Sequence, residues 1–235
     1  ANLTGIYPEM IGEAHAKACK ARLNDSQTYP PAHYNVSNSF AIDHGTSHLS
    51  VIDGQGSAVG MTTTVNLLFG SMILSAKTGI VMNDQMDDFS VDPHKPNAFG
   101  LMPHPANYVA ARKRPLSSMA PTVVLHADSH DAWLAVGASG GPTIPTSTVQ
   151  VITDVVDRGA TALEAVSRPR LHHQLMPNVV VTESGFDAQV IAFLRERGHN
   201  VTTQTGRLGD GQKLGVVQLV TRDRDGSLHA ASDPR

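Results

Sequence analysis

Apolar residues along this chain follow two rhythms, and the switches between them outline its elements. Residues 8–23, "PEMIGEAHAKACKARL", place Met10, Ile11, Ala14, Ala18 and Leu23 on a rough helical stripe, with Pro8 in a first turn where its missing N–H does no harm. Residues 24–40, "NDSQTYPPAHYNVSNSF", are rich in Asn, Ser and Pro without a period, which predicts an exposed connector. From Thr46 the rhythm becomes that of strands. "HLSVID" and "SAVGMTTTVNLLFG" flank Asp53-Gly54-Gln55-Gly56, a hairpin signal. Further strands are predicted at "TGIVMN", "PTVVLHA", "DAWLAVGA" and "NVVVTES", and a closing pair, "GVVQLVTRD" and "GSLHAAS", surrounds Asp225-Gly226. Helices are predicted at 146–158, closed by Gly159, at 161–168 and at 187–197. Strands, then helices, then strands predict α+β layers, with residues 1–45 a leading segment and 46–235 the core domain.

Composition narrows the partners more than the fold. With 235 residues, 40% hydrophobic and 17% charged, the chain can bury a core of its own. A net charge of -3 with scattered Lys and Arg argues against nucleic acid, which demands a clustered basic surface. The single cysteine, Cys19, excludes an internal disulfide and a Cys-based zinc site. Sequons at Asn2, Asn24, Asn35 and Asn200 are glycosylation sites if the chain enters a secretory pathway. The first residues lack the zones of a signal peptide, so any targeting or anchoring element is expected upstream. The localisation expected is secretory, extracellular or membrane- or vacuole-associated.

Several stretches carry candidate chemistry. A threonine hydroxyl is a poor nucleophile without a base, and the one base a chain supplies without a second side chain is its own α-amino group. That amine, with an ordinary pKa of about 7.7 to 8.0, accepts a proton near neutrality. Cleavage between Gly45 and Thr46 would create the pair, and Gly45, lacking a Cβ, tolerates backbone strain beside it; a turn is the competing reading. In "QMDDFS", strand alternation would turn Asp87 and Asp88 to opposite sides, leaving one free to meet a substrate cation. "RPLSSMAPT" holds Ser117 and Ser118 between prolines, without the Gly-x-Ser-x-Gly elbow of a serine hydrolase. "GASGGPTIPTSTVQ" is a glycine-rich bend entering a helix, able to present amides as an anion nest or oxyanion hole. The twelve histidines show no metal-ligand spacing and are assigned to packing.

Taken in order, "GTSHLSV", "TTTVNLLFGS", "NDQMDDFS", "PLSSMAPT", "GASGG", "RPRLHHQLMPN" and "AASDPR" resemble the small subunit of γ-glutamyltransferases, which are N-terminal-nucleophile hydrolases. Residues 1–45 resemble the tail of that family's large subunit. The resemblance implies an αββα sandwich completed by a large subunit from the same precursor. It implies autocleavage at Gly45-Thr46, Thr46 as nucleophile and, through its freed amine, as base, and Thr64 orienting it. Asn66, Gln85 and Asp88 match positions holding the α-amino end of a γ-glutamyl donor, Ser117 and Ser118 its α-carboxylate, and the Gly140 and Gly141 amides the oxyanion hole. The implied donors are glutathione and other γ-glutamyl compounds, the acceptors amino acids, dipeptides or water, with no metal or organic cofactor. Gln85 stands where the family uses Glu or Gln, and Pro142 where Ser or Thr is commoner. The family's carboxylate-binding arginine belongs to the large subunit. Two other readings remain open at this level: a related acylase acting on β-lactam side chains or polyglutamate, and an uncleaved, non-catalytic subunit.

Overall fold

The computed structural model describes residues 12–34, 45–90, 103–204 and 214–235. In chain order its elements are α1 (Glu13–Lys20), β1 (Thr46–Ile52), β2 (Ala58–Thr64), β3 (Thr122–Leu125), β4 (Ala132–Ser139), α2 (Thr143–Val156), α3 (Ala162–Ser167), β5 (Leu171–His172), β6 (Val180–Glu183), α4 (Ala188–Glu196), β7 (Val201–Gln204), β8 (Val216–Arg222) and β9 (Leu228–Ser232).

The predicted hairpin forms. β1 and β2 pair antiparallel from Thr46↔Thr64 to Ile52↔Ala58. Asp53 closes the turn by accepting the amides of Gln55 and Ser57 on its carboxylate, while Gly56 takes φ 90°, a region open to glycine at little cost. Alternation turns Thr46, His48, Ser50 and Ile52 inward and Ser47, Leu49 and Val51 outward.

The inner face of the hairpin lies on a four-stranded antiparallel sheet of order β3-β4-β8-β9. β4 is central and covered on both sides, which explains its nearly unbroken apolar run. Leu134, Val136 and Ala138 face α2 and α3, where they pack with Ile144, Val151, Val155 and Val166. Ala135 faces the hairpin, with Ile52 and Val220. Helix pair, sheet and hairpin make three stacked layers. The outward side of the hairpin leaves Leu49, Val51, Val59 and Met61 between 43 and 54% exposed.

Three boundaries differ from expectation for physical reasons. α2 starts at Thr143, so Pro145 lies inside its first turn, where no intrahelical acceptor awaits its absent N–H. "TGIVMN" forms no strand; a single bridge, Leu74↔Val81, replaces it, and Ile80 and Met82 stay exposed. β5 and β7 were not anticipated; β7 runs parallel to β6 and completes a small sheet of order β5-β6-β7. α3 is opened by a capping box between Thr161 and Glu164, and α4 by Asp187, which accepts the Gln189 amide.

Of the predicted helix at 8–23, the described part is α1, which buries no residue; Pro8, Met10 and Ile11 lie outside the described residues. The connector after it docks on the end of α4, where Thr28 N–H donates to Arg197 O (2.8 Å) and Arg197 Nε to Asp25 O (2.7 Å). At the other terminus, buried Asp233 pairs with buried Arg170 and accepts the Val217 amide (3.1 Å), while Arg170 also donates to Gly215 O (2.9 Å). Arg235 joins the cluster through Glu183 and Asp233.

Candidate active site

The open end of the hairpin brings together four residues singled out above. Thr46 Oγ1 donates to Thr64 Oγ1 at 2.9 Å, and Thr64 Oγ1 also accepts the Asn66 N–H at 2.9 Å. The ladder continues one residue past the pair: Gly45 N–H donates to Asn66 O (2.7 Å) and Gly45 O accepts the Val65 N–H (3.0 Å). A Cβ on Gly45 would lie 2.3 Å from the carbonyl oxygens of Asn66 and Leu67. Glycine is therefore required here by close approach of backbone, and the strained backbone expected from sequence is not the cause. The carbonyl preceding Thr46 is thus held still and polarised by an amide, with a hydroxyl beside it whose direction is fixed.

His48, two residues on and facing the same way, secures the hairpin to the sheet. Its ring sits over Gly137, where an added Cβ would come within 2.2 Å of it. Its nitrogens bond Thr62 Oγ1 (2.8 Å) and Ser50 Oγ (2.9 Å), and Ser50 Oγ donates to Gln218 O across the layers (3.1 Å). Burial holds His48 below the ordinary imidazole pKa. Ile52 near Ala135 and His48 over Gly137 set the running direction, which takes Thr46 towards the C-terminal end of β4.

Gly140 and Gly141 follow that end, at φ 126° and 56°. Pro142 disfavours the right-handed helical region for Gly141, which takes the left-handed one. Gly140 O accepts from Thr143 N–H (3.2 Å) and Thr143 Oγ1 (2.7 Å), and because a trans peptide opposes its N–H to its C=O, the Gly141 N–H points away from the helix.

A second loop is pinned to the hairpin end by Asp84. Its backbone N–H donates to Val65 O (3.2 Å), its carboxylate accepts the Leu67 N–H (3.1 Å), and its carbonyl accepts Asn66 Nδ2 (3.3 Å). Asn66 takes φ 74°, which asparagine tolerates better than most residues. It is fully buried, and its Oδ1 has no partner among the described residues. Beyond Asp84, residues Gln85–Asp88 form a 3-10 turn, contrary to the strand assumed in reading "QMDDFS". Three residues per turn put Gln85 and Asp88 on one side, where Gln85 Nε2 donates to Asp88 Oδ2. Burial raises the Asp87 carboxyl above its ordinary pKa, and the neighbouring Asp84 adds to this.

Ser117 and Ser118 lie in the irregular segment before β3, Ser117 exposed and Ser118 half-buried. Asn107 ties this segment to the Gln85–Asp88 turn, since its Nδ2 donates to Asp88 O (2.7 Å) and its Oδ1 accepts the Leu116 N–H (3.0 Å). Asp84 and Asn107 were not found from sequence. "ND" and "PAN" are turn signals, and nothing in them tells a local turn from one whose side chain reaches across the fold.

Around the site, His172 bonds Thr146 Oγ1 (2.8 Å) and Gln174 Oε1 (2.8 Å). Among the described residues no group of three His, Cys, Asp or Glu could hold a metal ion, and no helix is long and apolar enough to cross a membrane. Asn24 and Asn200 are exposed; Asn2 and Asn35 lie outside the described residues.

A family model described as gamma-glutamyltranspeptidase matches residues 1–235. The chain is 38% identical over 235 residues to a glutathione hydrolase proenzyme of Arthroderma benhamiae, covering 100% of this chain and 39% of the relative. It is 39% identical over 231 residues to glutathione hydrolase proenzyme 2 of Schizosaccharomyces pombe, covering 98% and 37%. It thus spans less than two fifths of the length of these curated relatives. Among solved structures it resembles a mutant of the gamma-glutamyltranspeptidase of Helicobacter pylori, with a TM-score of 0.69 and 37% identity over 80% of this chain and 98% of that one.

Proposed function

The chain belongs to the gamma-glutamyltranspeptidase family, and from that premise we propose that it is the catalytic portion of a γ-glutamyl transferase and glutathione hydrolase matured by its own scission. The observation that carries this reading is the hydroxyl of Thr46, directed by Thr64, beside a Gly45 carbonyl that already accepts an amide.

In the first step Thr46 Oγ1 attacks the Gly45 carbonyl carbon and the C–N bond breaks, moving the acyl group from nitrogen to oxygen. That shift passes the hydroxyl proton to the nitrogen and frees the Thr46 amine; water then cleaves the ester, giving a Gly45 carboxylate and restoring the Thr46 hydroxyl. Residues 1–45 become the tail of a large subunit and residues 46–235 the small one. In turnover the Thr46 amine takes the hydroxyl proton while Oγ1 attacks the γ-carbonyl of the donor, then returns the proton to the departing amine. The Gly140 and Gly141 amides stabilise the oxyanion. An amino acid, dipeptide or water takes the γ-glutamyl group from Thr46 by the reverse steps. No step calls for a metal or organic cofactor.

Donor recognition rests on the two charges of the glutamate head. Asp88, held by Gln85, meets the ammonium, and Asn66 offers a buried acceptor that has no partner among the described residues and that an entering N–H would satisfy. Ser117 and Ser118 meet the α-carboxylate, together with a group from the upstream large subunit. That subunit also covers the exposed outer face of the hairpin.

The test joins maturation to turnover in the full-length precursor. N-terminal sequencing of the native protein is expected to find a species starting at Thr46, with glutathione turnover that glycylglycine accelerates. Thr46→Ala should abolish both. An uncut chain that still consumes glutathione would sink the reading.

A further inference from the structure

We propose that Asn107 is a positioning residue that fixes the distance between the two halves of the amino-acid grip and so sets selectivity for a donor carrying both charges. This rests on the reading above, in which Asp88 meets the ammonium and Ser117 with Ser118 the carboxylate.

An α-amino acid head is rigid, since its ammonium and carboxylate share one carbon. A site that reads both must hold its own two partners at a set separation, and a small error there wastes one of the interactions. Here the partners come from different segments, Asp88 ending a 3-10 turn and the serines preceding β3. Asp84 ties the first to the end of the hairpin and the second runs into β3, but neither Asp88 nor the serines lie in a strand that would set the distance between them.

Asn107 supplies the missing link with every polar group it has. Its N–H donates to His104 O (2.8 Å) and its carbonyl accepts the Ser90 N–H (3.0 Å). Its Nδ2 donates to the carbonyl of Asp88 itself (2.7 Å), and its Oδ1 accepts from Leu116 N–H (3.0 Å), immediately before Ser117. The next residue, Tyr108, is bridged to Ser90, and Lys113 Nζ donates to Tyr108 O (2.8 Å), so the strut is braced at its base. One carboxamide thus spans the gap between cation site and anion site. Alanine keeps the backbone bonds of residue 107 and removes the spacer, so the separation between the two loops is no longer held. Aspartate keeps the acceptor for Leu116 and opposes a carboxylate to the Asp88 carbonyl.

The experiment compares three p-nitroanilides in the matured full-length protein: γ-glutamyl, glutaryl, which lacks the ammonium, and 4-aminobutyryl, which lacks the carboxylate. Asn107→Ala is expected to raise KM for the γ-glutamyl donor about tenfold or more with a smaller change in kcat. Its kcat/KM for the two singly charged donors should move by less than about threefold, so that discrimination collapses. Asn107→Asp should fall between it and the parent. Maturation rate and melting temperature, measured alongside, should stay near the parent's. Retained discrimination in Asn107→Ala overturns the proposal, and so does an equal loss on all three donors, which marks general damage. A parent protein that treats the three donors alike overturns the glutamyl-head reading itself.

Discussion

Thr46 and Thr64 are the first register pair of the hairpin, and the hydroxyl of one donates to the hydroxyl of the other over 2.9 Å. Because Thr64 Oγ1 is itself held by the Asn66 amide, the Thr46 side chain is aimed by two successive contacts. Thr64→Val keeps the shape and removes the contact. Both the appearance of the Thr46 terminus and kcat should fall by about a hundredfold, the scale expected for a misaimed reacting group. Thr64→Ser should keep most of both. Gel time courses and initial rates check the pair, and a fully active valine variant would remove Thr64 from the mechanism.

Gly45→Ala forces a methyl against two backbone oxygens, neither of which can swing aside as a side chain would. The strand end must shift, at a cost of about 1–3 kcal/mol. Maturation should stall, with intact mass showing unprocessed precursor after the parent has fully converted.

His48 makes the layer contact sensitive to acid. Its folded pKa is depressed by burial, so the unfolded chain binds the proton first as pH falls. The stability this contributes is complete above the unfolded value of about 6.5 and declines as pH drops through it towards the folded value. His172 and His173, also lowered by burial, act in the same direction. Urea midpoints should therefore fall between pH 7.5 and pH 5, and His48→Gln should flatten that slope while lowering stability at both ends. An unchanged slope would show that His48 does not govern it.

Asp233→Ala leaves Arg170 buried without its carboxylate and strips Val217 of an acceptor. Removing one partner of a buried pair costs about 3–5 kcal/mol, which chemical denaturation can measure directly. A loss below about 1 kcal/mol would mean that solvent or Glu183 takes over.

Much of this architecture could be read from the chain because period and burial agree. β4 is apolar throughout since both its faces are covered, and the hairpin alternates since one face looks outward. Reading failed where structure depends on contacts distant in sequence. "TGIVMN" has the composition of a strand, but its neighbours give it one bridge and no sheet. Strand alternation puts Asp87 and Asp88 on opposite sides, whereas the loop that Asp84 anchors forms a 3-10 turn over Gln85–Asp88. The proposed site residues were named through family resemblance. The physical reason Gly45 is glycine, and the struts made by Asp84 and Asn107, lie in contacts between segments that no local pattern encodes.

The uncovered apolar flank of the hairpin also bears on timing. Under the proposed maturation, Leu49, Val51, Val59 and Met61 sit on the same pair of strands whose end carries the bond to be broken. Halves synthesised apart would have to find each other at cellular dilution while displaying those side chains to every other sticky surface. Halves born on one polypeptide meet at an effective concentration of about millimolar. On that proposal the bond to be severed and the apolar face to be sheltered share one strand, so a single hairpin would join the two halves and carry the point at which they part.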